Sequence, residues 1–300
     1  MRETLFRWIF VHVSRALRRT PLRRIKWLIS QHDRIFRMLY ESRVVRVKDY
    51  VFQVDPRDHH KTKMVMLYGY EEDYVQELLI SLAVPGSIMV DVGANIGLHA
   101  IPLAGRVGTG GRVIAFEPDP DNYRILIQNI NSNRVMNISA HKLALCSESG
   151  TALLYQSREN RDKLSLRQEN VDNSGRTMTP VPVETAVGDD FLVDLDKPIS
   201  LIKIDVEGAE PLALQGMRKT LLRNPAIKVI FEFWPRYVRS FNINPVEFLR
   251  QLERDGFSLA IIDSNARCVT PSCPQDIMTL GESSDGGLNI LAMRDGLSEA

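Results

Sequence analysis

Cysteine is scarce. Only Cys146, Cys268 and Cys273 occur in 300 residues, too few and too scattered to staple a fold, so a disulfide framework is excluded and a reducing compartment is expected. Cys268 and Cys273 share the stretch Cys-Val-Thr-Pro-Ser-Cys, but no histidine or second cysteine pair lies near them; they read as loop thiols, and no metal site is expected. Long apolar runs are missing as well. No stretch approaches the roughly 20 apolar residues that a bilayer-spanning helix requires, and the run from Trp8 to Val13 is interrupted by His12 and lacks a small-residue cleavage site. A signal peptide or transmembrane anchor is therefore not expected, and the expected location is cytoplasmic. Net charge is close to zero at +1, and no nucleic-acid motif or interleaved aromatic platform accompanies the arginines, so no nucleic-acid partner is expected. Internal repeats are absent.

What is present is an ordinary globular composition, 44% hydrophobic and 25% charged, which suits one large domain with appendages. The balanced charge conceals a skew. Residues 1–50 contain 13 Arg and Lys against 4 acids, which leaves the rest of the chain acidic. Within that leader Phe6, Ile9, Phe10, Val13 and Leu17 recur at helical spacing with arginines between them, and the pattern stops near Pro21. A second helical stretch runs through Ile25, Leu28, Ile35 and Leu39. Residues 1–45 are thus expected to form a basic amphipathic helical extension. It would pack on the domain, self-associate through a second subunit, or lie peripherally on the inner face of a membrane.

From residue 46 to 300 the pattern is that of a single α/β domain. Val47 to Val54 and Lys63 to Leu67 alternate on either side of a polar turn, which predicts a hairpin over 46–68. The core spans 70–293. Its expected elements are a helix at 71–82, strands at 88–92 and 112–116, helices at 98–106 and through Tyr123 and Ile130, and a strand near 138–143. A paired-looking stretch at 151–155, a strand at 201–205, a helix at 211–222 and strands at 227–233, 257–263 and 288–293 complete it. Residues 157–177 are polar and unpatterned, and are read as a lid. Strands alternating with helices predict a doubly wound, mostly parallel sheet with helices on both faces.

Two segments carry chemistry. The first is the strand that ends in Asp91-Val-Gly-Ala-Asn-Ile-Gly97 and opens a helix, with Glu117 about twenty residues further on at the end of the next strand. Glycine permits a sharp turn and a close approach of a ligand to the main chain, and an acid at that second strand end is placed to accept hydrogen bonds from both hydroxyls of a ribose. A dinucleotide site wants Gly-x-Gly-x-x-Gly, whereas Asn95 stands in place of the second glycine and Gly97 is misplaced for the third. Asp91 would also repel a pyrophosphate, yet it suits a cofactor that carries an ammonium and a sulfonium. The second segment is Leu201-Ile-Lys-Ile-Asp-Val-Glu207. Its strand period puts Lys203, Asp205 and Glu207 on one face, where charge is expensive unless paired or used. Glu232 ends the later strand in a similar way. Acids on neighbouring strand ends could take a proton from an acceptor hydroxyl, hydrogen-bond a polyhydroxylated substrate or hold a divalent metal. A structural Lys203–Asp205 ion pair is the alternative for that pair. For Glu210 a helix-terminal role is expected, for Trp234 a core role, and for His99 packing or solvation.

Val90-Asp-Val-Gly-Ala-Asn-Ile-Gly97, Ala115-Phe-Glu-Pro118 and Ile202-Lys-Ile-Asp-Val-Glu-Gly-Ala-Glu210 together resemble the FkbM family of methyltransferases, over roughly residues 65 to 293. The resemblance implies a Rossmann-like class I methyltransferase fold, S-adenosylmethionine as cofactor, and O-methylation of a glycan or other hydroxylated small molecule. It implies that Asp91, Gly93, Asn95 and Gly97 line the methionine part of the cofactor and that Glu117 holds the ribose. It also implies that Ala144, in Lys142-Leu-Ala-Leu-Cys146, lies beside the adenine; there Cys146 replaces the family's usual glycine. The catalytic candidates are Asp205, Glu232 and, in reserve, Glu207. A NAD-dependent oxidoreductase and a non-catalytic adaptor that keeps the fold are the competing readings. The leader is expected to be dispensable for cofactor binding, so that a chain beginning near Val47 would retain it.

Overall fold

In a computed structural model of the protein, the described residues are 44–55, 65, 73–156, 164–171, 179–284 and 287–294. The chain enters through an antiparallel pair, β1 (Val44–Val47) and β2 (Tyr50–Gln53). The central sheet follows with β3 (Ile88–Val92), β4 (Arg112–Phe116) and β5 (Ile138–His141). A second sheet then intervenes, made of β6 (Ala144–Cys146), β7 (Gly150–Gln156), β8 (Leu164–Ser165) and β9 (Thr179–Val187). The central sheet resumes with β10 (Ile199–Ile204), β11 (Lys228–Phe233), β12 (Ser258–Asp263), β13 (Cys268–Pro271) and β14 (Leu288–Met293).

Eight strands lie in the order β13-β12-β14-β11-β10-β3-β4-β5. From β5 to β11 every neighbour is parallel, while β14 runs antiparallel between β11 and β12. The chain leaves β3 towards β4 and β5 on one side, and β10 and β11 extend the other. The order therefore reverses between β3 and β10, which opens a crevice at their carboxyl ends. This is the doubly wound, Rossmann-like sheet expected.

Both faces of the sheet are covered, as parallel strands require. Met89, Val113, Ala115, Leu201 and Ile230 pack on one face against the helices Asp73–Leu82, Ala100–Val107 and Pro120–Ser132. Ile88, Val90, Val92, Phe116, Ile202 and Ile204 pack on the other, against the later helices. Local chemistry sets the helix starts. Asp119 accepts the Asp121 and Asn122 N–H groups with Pro120 at the first helical position, and Asn244 does the same ahead of Pro245.

Several expectations need correction. The hairpin turns at Lys48, which takes a left-handed φ of 51°, so its arms are 44–47 and 50–53 rather than 47–54 and 63–67. Of the expected second arm only Val65 is described, and it is buried in the core. The expected leader helices lie outside the described residues, while Val44 and Val45, assigned to that leader, already belong to β1. The helix expected at 211–222 is two helices, Glu210–Gly216 and Arg218–Arg223, broken at Met217. Gly216 presses on β6 so closely that a Cβ there would stand 2.0 Å from the Cys146 carbonyl oxygen. Asp189 then caps the second helix through the Lys219 and Thr220 N–H groups. Cys268 opens β13 and so is not in a loop, while Cys273 lies in the short connection before the helix Pro274–Ser283 as its N-cap residue. Of the expected lid, 164–171 are described, as β8 and a short helix Gln168–Val171, with the remainder outside the described residues.

The hairpin is part of the core. Val45, Val47, Phe52 and Val54 are all buried in the core cluster on the Met89 face of the sheet, where β2 packs on the helix Pro120–Ser132. A chain beginning at Val47 would delete most of β1 and its partnership with β2. Phe52→Ala should destabilise the protein by roughly 3–5 kcal/mol, the usual loss for emptying a fully buried phenylalanine, measured by urea unfolding.

Candidate active site

The turn after β3 is fastened at nearly every backbone group. Gly93 and Ala94 donate to the Phe116 carbonyl at 2.9 Å each, and Gly97 donates to Ala94 at 2.8 Å. Asn95 donates its backbone N–H to Glu117 Oε2 at 2.7 Å. Three residues of the turn have positive φ: Gly93 at 82°, Asn95 at 51° and Gly97 at 92°. At Gly97 a Cβ would crowd the Leu126 side chain at 2.8 Å, but at Gly93 the obstacle is backbone. A Cβ there would lie 2.0 Å from the carbonyl oxygen of Asp205, because the turn passes directly over the end of β10. Glu117 is buried and fixed through both oxygens, since Oε1 accepts the Asp119 N–H at 2.9 Å.

A second group of charges faces this turn. Lys203 on β10 is level with Asp91 on β3, and both are buried. Its ammonium lies 3.4 Å from Asp205 Oδ2. Asp91 accepts the Ala100 N–H at the start of the next helix, while its Oδ2 is buried without a hydrogen-bond partner. Burial pushes the Asp91 carboxyl up to about 7, against the downward pull of Lys203 and with a further upward push from Asp205. One residue past the end of the shared register of β10 and β11, Asp205, just beyond β10, comes level with Glu232 on β11. Glu232 is held well above the usual carboxylate range, chiefly by burial and then by Asp205 and Glu207, against a downward pull from the neighbouring Trp234.

Sequence reasoning located this constellation but misjudged its solvation. Asp205 lies beyond the last residue of β10 with its side chain 43% exposed, so the desolvated groups are Lys203 and Asp91 rather than Asp205. The Lys203–Asp205 pair exists, and one of its members faces the crevice. Strand alternation also stops short of Glu207, which adopts a left-handed φ of 51° in the turn before the Glu210 helix. Glu210 is buried and folds back to accept the Val206 and Gly208 N–H groups with Oε1, the helix-terminal role expected. Burial raises its carboxyl to about 7. Trp234 stacks on Tyr237 at 4.7 Å, so one of its faces is already covered. His99 is the N-cap residue of the helix Ala100–Val107 and hydrogen-bonds the buried Gln76 through Nδ1. Ala144 sits on β6, paired with Thr185 of β9, a few residues past His141.

Two features were missed. His141 ends β5, its carbonyl accepts the Glu117 N–H at 3.0 Å, and its ring stacks on Phe116 at 5.3 Å under Phe191. Its place at the carboxyl end of a strand of the central sheet, at that sheet's edge, was the available signal. Ser165 and Asn170, from the segment read as a lid, both donate to the Glu207 carbonyl, at 2.9 and 3.1 Å. No local pattern marks them. Among the described residues no group of three or more metal-ligating side chains converges.

The family model of the methyltransferase FkbM domain matches residues 91–259. The chain belongs to the FkbM methyltransferase family. The hexuronic acid methyltransferase AglP of Haloferax volcanii is 32% identical over 154 residues, covering 50% of this chain and 58% of AglP. Methyltransferase 1 of Beauveria bassiana is 27% identical over 146 residues, covering 44% of this chain and 58% of its own length. Methyltransferase sdnD of Sordaria araneosa is 29% identical over 203 residues, 58% of this chain and 76% of that protein. The chain thus spans somewhat over half the length of the first two relatives. The sheet is that of the Rossmann-like class I methyltransferases, and S-adenosylmethionine is the cofactor of the family. The glycine turn and the row of acids both fall inside the matched span.

The two buried carboxyls generate a pH signature. Both are raised in the folded state to about 7 from values near 4, so the folded protein binds extra protons between those limits. Their favourable contribution is full below pH of about 4 and is lost as pH rises through about 7. The melting temperature of ligand-free protein should therefore gain less, or fall, between pH 5 and 8, and Asp91→Asn should flatten that slope in calorimetric scans.

Proposed function

We propose that the protein transfers a methyl group from S-adenosylmethionine to a hydroxyl oxygen of a glycan or another hydroxylated small molecule. The observation that carries this reading is the meeting, at one crevice, of the Gly93 turn with Asp205 and Glu232 on adjacent strand ends. AglP, named for a hexuronic acid, lends weight to a sugar-like acceptor.

The residues present fit the donor. Asp91 Oδ2 is a buried acceptor without a hydrogen-bond partner, suited to an ammonium. Gly93 leaves the main chain open to close approach, and Glu117 is a buried carboxylate held rigidly by two backbone N–H groups, the acceptor chemistry that ribose hydroxyls require. Asn95 and Gly97 shape the turn, and Ala144 supplies a small side chain on the adenine side. When bound, S-adenosylmethionine supplies an electrophilic methyl group.

The chain's own tasks are alignment and removal of the acceptor proton. Lys203 fixes the Asp205 carboxylate at the mouth of the crevice, where it accepts the proton of the acceptor hydroxyl or orients that hydroxyl for attack. Glu232, beside Asp205, hydrogen-bonds a second oxygen of the acceptor. Glu207 stands in reserve on the same turn. Alignment of reactants provides several kcal/mol, and a positioned base adds about 10²- to 10⁴-fold.

Two variants separate these roles. Glu117→Ala should weaken S-adenosylhomocysteine binding by roughly 1.5–3 kcal/mol in calorimetry, the loss of a charge-assisted ribose hydrogen bond. Asp205→Asn should bind the same ligand nearly as the parent does, yet lower methyl transfer by about 100-fold or more across a panel of hydroxylated acceptors. Normal turnover by Asp205→Asn, or a loss equal to its loss of folded protein, removes Asp205 from the chemical step.

A further inference from the structure

The glycine turn is tied to a part of the chain that lies outside the matched family domain. Asn129, on the helix Pro120–Ser132, is fully buried. Its Oδ1 accepts the Gln53 N–H of β2 at 2.6 Å, and its Nδ2 donates to the Gln53 carbonyl at 3.1 Å. The same Nδ2 donates to the Ile96 carbonyl, inside the turn between Asn95 and Gly97, at 2.8 Å. One turn of helix later, Asn133 makes the equivalent pair of bonds to Val51, at 2.8 and 2.7 Å, but its remaining bond goes to the Asn129 carbonyl and not to the glycine turn. The two amides imitate a neighbouring strand and hold the outer edge of β2. Only one of them reaches the cofactor loop.

We propose that Asn129 is a positioning residue for the donor turn. It transmits the placement of the entrance hairpin to Ile96 and so holds Asn95 and Gly97 in the left-handed conformations that receive the cofactor. A buried amide has fixed numbers of donors and acceptors, and Asn129 uses both N–H groups and its oxygen. Removing it leaves the Ile96 carbonyl buried without this partner and frees a turn whose conformation is intrinsically unfavourable for Asn95. The hairpin thereby becomes part of the donor site's support even though none of its residues lies in the glycine turn or the acid cluster. By reciprocity, a ligand that orders the turn must also tighten the hairpin.

This inference rests on the S-adenosylmethionine reading above, and Asn133 provides its internal control. With S-adenosylhomocysteine as probe, calorimetry on Asn129→Ala and Asn129→Asp should show dissociation constants raised about ten-fold or more, since each variant loses the donation to Ile96. Asn133→Ala, which removes the bonds to Val51 but leaves the Asn129 link from Gln53 to Ile96 in place, should change the constant by no more than about two-fold. Equal shifts at the two positions, or unchanged binding by folded Asn129 variants, overturn the proposal. Should neither Asn129 variant fold, amide exchange in the parent protein decides: S-adenosylhomocysteine should slow the Gln53 amide more than the Val51 amide, and equal slowing overturns it. A parent protein that binds no S-adenosylhomocysteine overturns the donor reading itself, and this inference with it.

Discussion

The burial of Lys203 organises this molecule. A parallel sheet covered on both faces has little room for charge, and an ammonium in its middle strand must be compensated by groups that the sheet itself supplies. Here the compensation comes from Asp91, level with it on β3, and from Asp205, 3.4 Å away at the end of its own strand. The register between β3 and β10 is thereby tied to charge as well as to apolar packing. A one-residue slip would turn Lys203 away from Asp91 and towards the opposite core. The reactive edge is built into the pairing of the strands.

From that edge outward the site is a set of loops held by their neighbours. Asn95 and Glu207 both take left-handed conformations that disfavour non-glycine residues by roughly 1–3 kcal/mol, and each is fastened by contacts from elsewhere in the chain. Asn95 is held by Glu117, while Glu207 is held by Ser165, Asn170 and, through the adjoining N–H groups, Glu210. Gly93 lets the two loops meet, since a side chain there would strike the Asp205 backbone. Each strained turn therefore depends on an element that lies far from it in sequence. The second sheet serves the carboxylate turn, and the helix Pro120–Ser132 together with the hairpin serves the glycine turn.

Much of this was legible in advance because it is local. Arg112 to Phe116 and Leu288 to Met293 read as strands from their apolar runs, and the apolar spacing through Tyr123 and Ile130 announced the helix Pro120–Ser132. The expected adjacency of Asp205 and Glu232 held because the doubly wound order leaves β10 and β11 neighbours. Where pattern was weak the reading slipped. The polar run around Lys48 concealed a tight turn inside what looked like one strand. The helices at Pro235–Ser240 and Pro245–Arg254 were passed over, although each carries proline at its first position and Asn244 caps the second.

The sequence by itself determined the fold class, the glycine turn, the acid that follows it and the identity of the carboxylates at the crevice, because each depends on residue type within a few positions or on strand alternation. Tertiary structure alone decided which of those charges is desolvated. Lys203 and Asp205 are two residues apart on one strand, yet the sheet swallows the first and ends before the second. It also decided which side chains brace the turns. Asn129 meets Ile96 across 33 residues and Asn170 meets Glu207 across 37. Hydrogen bonds of that reach leave no periodicity in the chain, since either partner satisfies its local rules whether or not the other is present.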